Sequence, residues 1–355
     1  MKTTEIRSIT GLRAFAALGV YLNHFGNPSW FPNYLSNLHS NGGLGVPFFF
    51  VLSGFVLTLS YEQKSVGKGT FYLNRFARIA PTYFIGLFVA SLYISLTDFS
   101  FSYLLVMHIF GLQAWFPSSD SGFAFNGPGW TISVEIFFYA LFPYLIKLFR
   151  SGPLILRRWT SVIFVGMATS LIPFFVHIRS LGVMRGLEND HIWPTFLPVH
   201  YLGLFIIGIG GCMARTSIQG LLANDRVRAA VCDSVVLLCI SLFTLINFKD
   251  PEHPLVASAA QFWLLGIPTL SMILLLSVTP TSFLSRFLAS WPCWFAGRIS
   301  LVFYLLHVPV VWWSRRIFPS HSYEMHFLTV VIVSILIHLL VELPCSKRIR
   351  RFVRQ

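Results

Sequence analysis

Four long stretches of this chain, residues 44–61, 79–97, 159–178 and 255–278, contain no formally charged side chain. About 20 apolar residues in a helix cross the ~30 Å hydrocarbon core of a bilayer. Inside that core a segment survives only if its own backbone hydrogen bonds are closed, which a helix does and a loop does not. Such intervals therefore call for membrane-spanning helices. Composition agrees: 55% of the 355 residues are hydrophobic and only 11% are charged, against about 25% charged in a soluble domain. An ordinary cytosolic enzyme, a disordered chain and a disulfide-stapled secreted module are excluded. The five cysteines, Cys212, Cys232, Cys239, Cys293 and Cys345, form no CxxC pair and read as inert packing residues. No cleavable signal peptide is evident, because Arg13 interrupts the first apolar stretch.

Six less clean segments, 9–25, 130–149, 199–214, 229–248, 293–313 and 325–343, bring the expected spans to ten. An eleventh candidate, 99–116, carries His108 and Gln113 and runs into a turn-rich stretch. Charge decides its status. The net charge of +13 could suggest nucleic acid, but no basic stripe alternates with a polar surface. The excess fits Lys and Arg gathered on the cytoplasmic side of a multi-pass protein. If 99–116 does not cross, all but five of the 26 Lys and Arg lie inside, the five being Arg179, Arg185, Lys249, Arg315 and Arg316. If it does cross, Arg157 and Arg158 are thrown outside. The expected architecture is an all-α integral membrane protein with about ten transmembrane helices and both termini cytoplasmic. Residues 99–116 are then re-entrant or interfacial. No repeat or linker divides the chain, so 1–355 reads as one membrane-embedded domain.

An ionisable side chain at mid-membrane costs a few kcal/mol on insertion scales, so each one is a functional candidate. Arg13 and His24 are eleven residues apart, close to three helical turns, which places them on one face about 16 Å apart along the axis. Either alone has a bland explanation, Arg13 as an anchor snorkelling to the inner surface and His24 as a packed histidine. Together they favour a ligand-lined groove. Glu135 lies five residues into the span opened by Trp130-Thr-Ile-Ser133-Val, with Tyr139 on its face at i+4. A carboxylate there must pair, bind a proton or touch water; a buried ion pair with another helix is the competing explanation. His307 follows Ser300 and Tyr304 in the outer half of its span, and the expected orientation puts His24, Glu135 and His307 at similar depth. Arg75 and Arg78 lie one turn apart at the cytoplasmic entry of the third span. Topology alone would explain them, whereas two guanidiniums on one face also suit phosphates. His338 and Glu342 read as a structural i, i+4 pair. The remaining histidines show no metal-ligand spacing, Gly42, Gly43 and Gly45 form no nucleotide fingerprint, and Gly208, Gly210 and Gly211 read as close helix packing.

The Arg13-x10-His24 span, the run Phe48-Phe-Phe-Val-Leu-Ser53-Gly54-Phe55 and the pair Arg75-x-x-Arg78 together resemble the acyltransferase 3 family of membrane-bound acyltransferases. So do Trp130-Thr-Ile-Ser133-Val-Glu135-x3-Tyr139, Gly297-Arg-Ile-Ser300-x3-Tyr304-x2-His307 and the closing Glu342-Leu-Pro344. Each motif is modestly specific; their order over about residues 5–345 is strong. The resemblance implies an enzyme of the cell (inner) membrane, an O-acyltransferase in which the group moved is most often acetyl. Its donor is a coenzyme A thioester, a co-substrate rather than a bound cofactor, and no metal is implied. Its acceptor is a sugar hydroxyl of an envelope polysaccharide, lipid-linked glycan or exported metabolite. The chain ends about a dozen residues after Glu342, so no fused hydrolase-like domain is expected, and a partner protein that completes the transfer is a second possibility. The motif residues Ser53, Trp130, Ser133, Tyr139, Ser300, Tyr304 and His307 are expected to line the site.

Acyl transfer to a sugar hydroxyl needs a base at the hydroxyl and a positive or donor group at the developing oxyanion. On this reading Arg75, Arg78 and Arg13 bind the donor, whose pantetheine arm matches the three-turn reach from Arg13 to His24. His24 is the base, and Glu135 orients it and stabilises its protonated form, as a carboxylate does in a hydrolase triad. Direct transfer is preferred to a covalent acyl intermediate, since no Ser or Cys is evidently paired with His24. The rival is a glycan flippase or proton-coupled transporter with Glu135 and His307 as a proton relay. A membrane acyltransferase of another family, built around one histidine, would leave the Arg13–His24 and Arg75–Arg78 pairings unexplained.

Overall fold

A computed structural model describes residues 5–32, 35–62, 67–95, 102–116, 123–183, 196–221, 224–246 and 265–352. Among the described residues every regular element is a helix: α1 (Arg7–Phe25), α2 (Gly45–Glu62), α3 (Lys68–Ser95), α4 (Ser102–Ile109), α5 (Trp130–Ser151), α6 (Trp159–Val183) and α7 (Leu202–Leu221). They continue with α8 (Asp225–Leu245), α9 (Gly266–Val278), α10 (Phe283–Leu288), α11 (Trp291–Ile317), α12 (Tyr323–Ile337), a π-helical turn (His338–Glu342) and α13 (Leu343–Phe352).

Seven helical stretches among the described residues are long and apolar enough to cross a membrane: Ser36–Tyr61, Lys68–Ile94, Gly127–Ser151, Pro198–Leu221, Asp225–Leu245, Trp291–Ile317 and Tyr323–Arg351. The chain is an all-α, multi-pass membrane protein. Two more expected spans fall on apolar helices whose described parts are shorter, Trp159–Pro173 and Gly266–Val278. The remaining one falls on α1, whose 19 residues include Arg7, Arg13, Asn23 and His24. Residues 96–97, 99–101, 247–248 and 255–264, parts of four expected segments, lie outside the described residues, as do His191 and His253. In the 99–116 segment, α4 has eight residues, which cover about 12 Å. That is less than half the hydrocarbon thickness.

The chain divides into two compact units: Met1–Ser65, Phe142–Ser180 and His200–Arg298 form the first, and Val66–Leu141, Leu181–Val199 and Ile299–Gln355 the second. In the first, glycines set how closely helices approach. A β-carbon on Gly54 of α2 would overlap the Phe205 carbonyl of α7, and one on Gly208 would overlap the Val51 carbonyl of α2. Each helix thus lends its glycine to the other's backbone. Lipid-embedded helices gain little from the hydrophobic effect and associate through such close van der Waals packing. Gly166 of α6 and Gly203 of α7 repeat the arrangement, and Leu204, Phe205, Ile207 and Ile209 are completely buried. Gly42 and Gly45 meet the Gly19 and Ala16 carbonyls of α1 in the same way.

In the second unit, prolines determine where polar side chains dock. Pro309 lies inside α11 and has no N–H, so the carbonyl of Leu305, four residues earlier, loses its helical donor. The Asn126 amide donates to that oxygen at 2.8 Å. Pro81 inside α3 frees the Ala77 carbonyl in turn, and the Ser346 hydroxyl of α13 donates to it at 2.5 Å. Both side chains therefore satisfy acceptors that a bilayer would leave unmet. The Tyr83 hydroxyl of α3 donates to the His108 carbonyl, while the Gln113 amide donates to the Tyr83 oxygen at 3.2 Å and to the Gly129 carbonyl at 2.7 Å. This network fixes the segment after α4 against both α3 and the start of α5. Gly111, with φ of +66°, makes the turn between them. Any side chain there would be strained by the left-handed backbone and would overlap Ile136, next to Glu135.

Candidate active site

Glu135 and Tyr139 sit on α5, which buries Ile132, Val134, Phe138 and Phe142 and leaves the carboxylate half-buried. Tyr139 interacts electrostatically with Glu135, one turn earlier on α5, and with Arg75 and Arg78. The Arg75 guanidinium lies 6.0 Å from the Tyr139 ring centroid and 5.8 Å from that of Phe71, within cation–π range. Phe71 and Tyr139 also meet edge to face at 6.4 Å. Tyr139 thus links two positions that the sequence treats separately, the carboxylate of α5 and the arginine pair of α3. A further cation, Arg350 of α13, acts on Arg75 as a like charge; nothing in the sequence pattern singled it out.

The other second-unit candidates lie on α11 and at the start of α5. Tyr304 is buried near Thr131, whose hydroxyl donates to the Pro128 carbonyl at 2.8 Å. His307 is buried, with Nδ1 2.6 Å from the Tyr304 carbonyl oxygen; that bond fixes the ring and directs Nε2 to the remaining chemistry. Ser300 is buried and its Oγ makes no hydrogen bond. The Ser133 hydroxyl accepts from the Ala114 amide at 3.5 Å, and Trp130 packs on Phe196 with centroids 5.0 Å apart. Ser133 and Trp130 are therefore held mainly by packing. His108, which the sequence marked only as a polar intruder, is buried with Nδ1 2.9 Å from the Leu104 carbonyl oxygen. Burial holds its imidazole below the ordinary histidine value, against the opposing pull of that backbone bond. His338 and Glu342 are hydrogen-bonded within the π-helical turn, a structural pair.

The first unit holds Arg13, His24 and Ser53. Arg13 and His24 share the single uninterrupted helix α1; Arg13 is half-buried and His24 exposed near the helix end. Two asparagines that sequence reasoning missed anchor that end. The Asn23 amide donates to the carbonyls of His39 and Ser40 at 3.1 and 3.2 Å. The Asn41 amide donates to those of Phe243 and Ile246 at 2.8 and 2.7 Å. The clustered glycines at 42, 43 and 45 were the signal that a segment passes close to α1 here. Ser53, on α2, is half-buried beside the tightly packed Gly54. The structure brings Glu135, Tyr139, Arg75 and Arg78 into one connected group, and keeps Ser300, Tyr304 and His307 in the same unit; Arg13, His24 and Ser53 belong to the other. Among the described residues no three His, Cys, Asp or Glu side chains cluster to hold a metal ion.

A multi-pass helical membrane protein with a carboxylate, a tyrosine and arginines gathered on facing helices is the class that fold and site define. The chain matches the family model described as an acyltransferase domain over residues 6–343. It belongs to that family, acyltransferase 3, and is an acyltransferase. It is 26% identical to the acyltransferase MdmB of Streptomyces mycarofaciens, over 99% of this chain and 94% of that protein. It is 23% identical to the O-acetyltransferase OatA of Staphylococcus aureus, over 96% of this chain and 57% of that protein. It is also 23% identical to the peptidoglycan O-acetyltransferase OatA of Listeria monocytogenes, over 86% of this chain and 49% of that protein. The chain thus spans about half the length of the two OatA proteins. No solved structure matches it.

Proposed function

We propose that this acyltransferase moves an acetyl group from a coenzyme A thioester to a sugar hydroxyl of a cell-envelope or exported glycan. It acts as one domain of the cell (inner) membrane, with ten spans and both termini cytoplasmic. The observation that carries the reading is the connected group Arg78, Arg75, Tyr139 and Glu135, which couples cations suited to phosphates with a carboxylate suited to acid–base chemistry. The names of the OatA relatives, O-acetyltransferase and peptidoglycan O-acetyltransferase, support acetyl as the group and a glycan as the acceptor.

In this mechanism the coenzyme enters from the cytoplasm and its phosphates meet Arg75 and Arg78, with Arg13 following the pantetheine arm. His24 removes the proton of the acceptor hydroxyl as its oxygen attacks the thioester carbonyl. The tetrahedral intermediate collapses with loss of the coenzyme thiolate, which takes up the proton. Glu135 supplies the negative charge that stabilises the protonated base. Ser53, Trp130, Ser133, Ser300, Tyr304 and His307 line the path of the reactants. Transfer is direct, or a partner protein receives the acetyl group and completes it.

Arg75→Lys and Arg78→Lys test the donor side. Each keeps the positive charge that topology requires and removes the two-pronged guanidinium that a phosphate prefers. Expression and membrane insertion should persist. Affinity for acetyl-coenzyme A, measured by isothermal titration on protein in nanodiscs, should fall roughly tenfold or more, or ~1.5–3 kcal/mol for a charged hydrogen bond. Equal affinity in both variants and wild type would return the pair to topology alone.

A further inference from the structure

We infer that Arg350 of the C-terminal helix α13 completes, with Arg75 and Arg78, a three-cation site for a polyphosphate group. The inference rests on the donor reading above and adds a third arm to it. Its geometry begins with Pro81. That proline leaves the Ala77 carbonyl of α3 without a helical donor, and the Ser346 hydroxyl fills the vacancy at 2.5 Å. The bond pins α13 to α3 between Arg75 and Pro81. Arg350 is four residues beyond Ser346 and so lies on the same face of α13, one turn along. Lys347 and Arg351 are rotated by about 100° from that face and Arg348 by about 200°; all four cations are exposed. Arg350 thus shares the face that Ser346 pins to α3, and it acts electrostatically on Arg75 together with Arg78.

Three guanidiniums held near one another repel. Glu135 offsets part of that charge at Arg75, and Tyr139 and Phe71 offer ring faces to it. The Arg75 Nε is buried and makes no hydrogen bond, so a guanidinium edge in the middle of the cluster is unmet. A ligand carrying phosphate oxygens would meet that edge and offset the repulsion between the like charges at Arg75. Arg suits it because its planar fork binds phosphate oxygens two at a time. Two sources share this chemistry, the phosphates of a nucleotide-like coenzyme and the headgroup of an anionic lipid. Arg350 faces the arginine pair, whereas Lys347, Arg348 and Arg351 face away from it and are the residues placed for a lipid surface. The site itself is therefore assigned to the coenzyme.

The test compares wild type, Arg350→Gln, Arg350→Lys and the control Arg348→Gln, all as full chains in nanodiscs. Coenzyme A binding is read by titration, and competition by inorganic pyrophosphate is read alongside it, in discs of phosphatidylcholine alone and in discs with added phosphatidylglycerol. Arg350→Gln is expected to weaken coenzyme A by roughly tenfold, the scale of a charged hydrogen bond, and to weaken pyrophosphate competition equally. Arg350→Lys should fall between Gln and wild type, and Arg348→Gln should match wild type. The Gln effect should be the same in both lipid mixtures. Unchanged coenzyme affinity in a folded Arg350→Gln protein overturns the inference while leaving the donor reading intact. An effect seen only with phosphatidylglycerol reassigns Arg350 to a lipid headgroup and overturns it too. A wild-type protein that binds no coenzyme A overturns the donor reading and this inference together.

Discussion

Replacing His24 by Ala is expected to abolish acyl transfer, a loss of about 10²–10⁴-fold or more, as when a positioned general base is removed. The protein should remain in the membrane at near wild-type level. Both halves of this expectation follow from where the residue sits. A sugar hydroxyl gives up its proton too reluctantly to attack a thioester unaided, and His24 shares the continuous helix α1 with Arg13. His24 is exposed near the end of α1, so truncating it leaves no core cavity. The helix end is tied by Asn23 through the His39 and Ser40 carbonyls, and the Ala variant keeps both bonds. A His24→Ala protein that acetylates its acceptor at the wild-type rate would remove the histidine from the chemistry.

Glu135→Gln carries the second large effect. The substitution preserves shape but removes the charge. If that charge stabilises an imidazolium in the transition state, turnover should drop by about 10², mostly in kcat, because an interaction made in the transition state rather than the ground state is lost. Donor affinity should move far less than in the Arg75 variants. Steady-state kinetics on the purified variant separates these outcomes. Unchanged turnover would leave Glu135 as the structural counter-charge of Arg75.

The spans were legible because charge is so costly in hydrocarbon that its absence over 18 or more residues leaves little choice. Residues 44–61 and 130–149 fall on α2 and α5 within a few residues. Even α1 was legible, despite Arg13 and His24, since their spacing fits one helical face. The i, i+4 relation of Glu135 and Tyr139 was likewise readable, being local to one helix. What could not be read is how α5 meets α3. The Arg75–Tyr139 contact depends on tertiary packing, and neither residue advertises the other. The prolines illustrate the same limit. Pro81 and Pro309 announce that two carbonyls lose their helical donors, yet the sequence does not say that Ser346 and Asn126 fill the places. Arg350 was hidden in a basic tail that the positive-inside pattern already explained. His108 and Gln113 were noticed, but their roles as a buried ring and a two-way amide donor appear only with α3 and α5 around them.

The central claim is that this acyltransferase takes acetyl from coenzyme A and delivers it to a sugar hydroxyl. The most direct measurement follows free thiol release from acetyl-coenzyme A by purified protein in nanodiscs, with and without added glycan acceptor, while mass spectrometry weighs the glycan. The account predicts saturable thiol release that rises with acceptor, an acetyl mass increment on the glycan, and loss of both in the His24→Ala protein. A protein that neither binds acetyl-coenzyme A nor releases its thiol, yet moves unmodified glycan across a sealed proteoliposome, would contradict it.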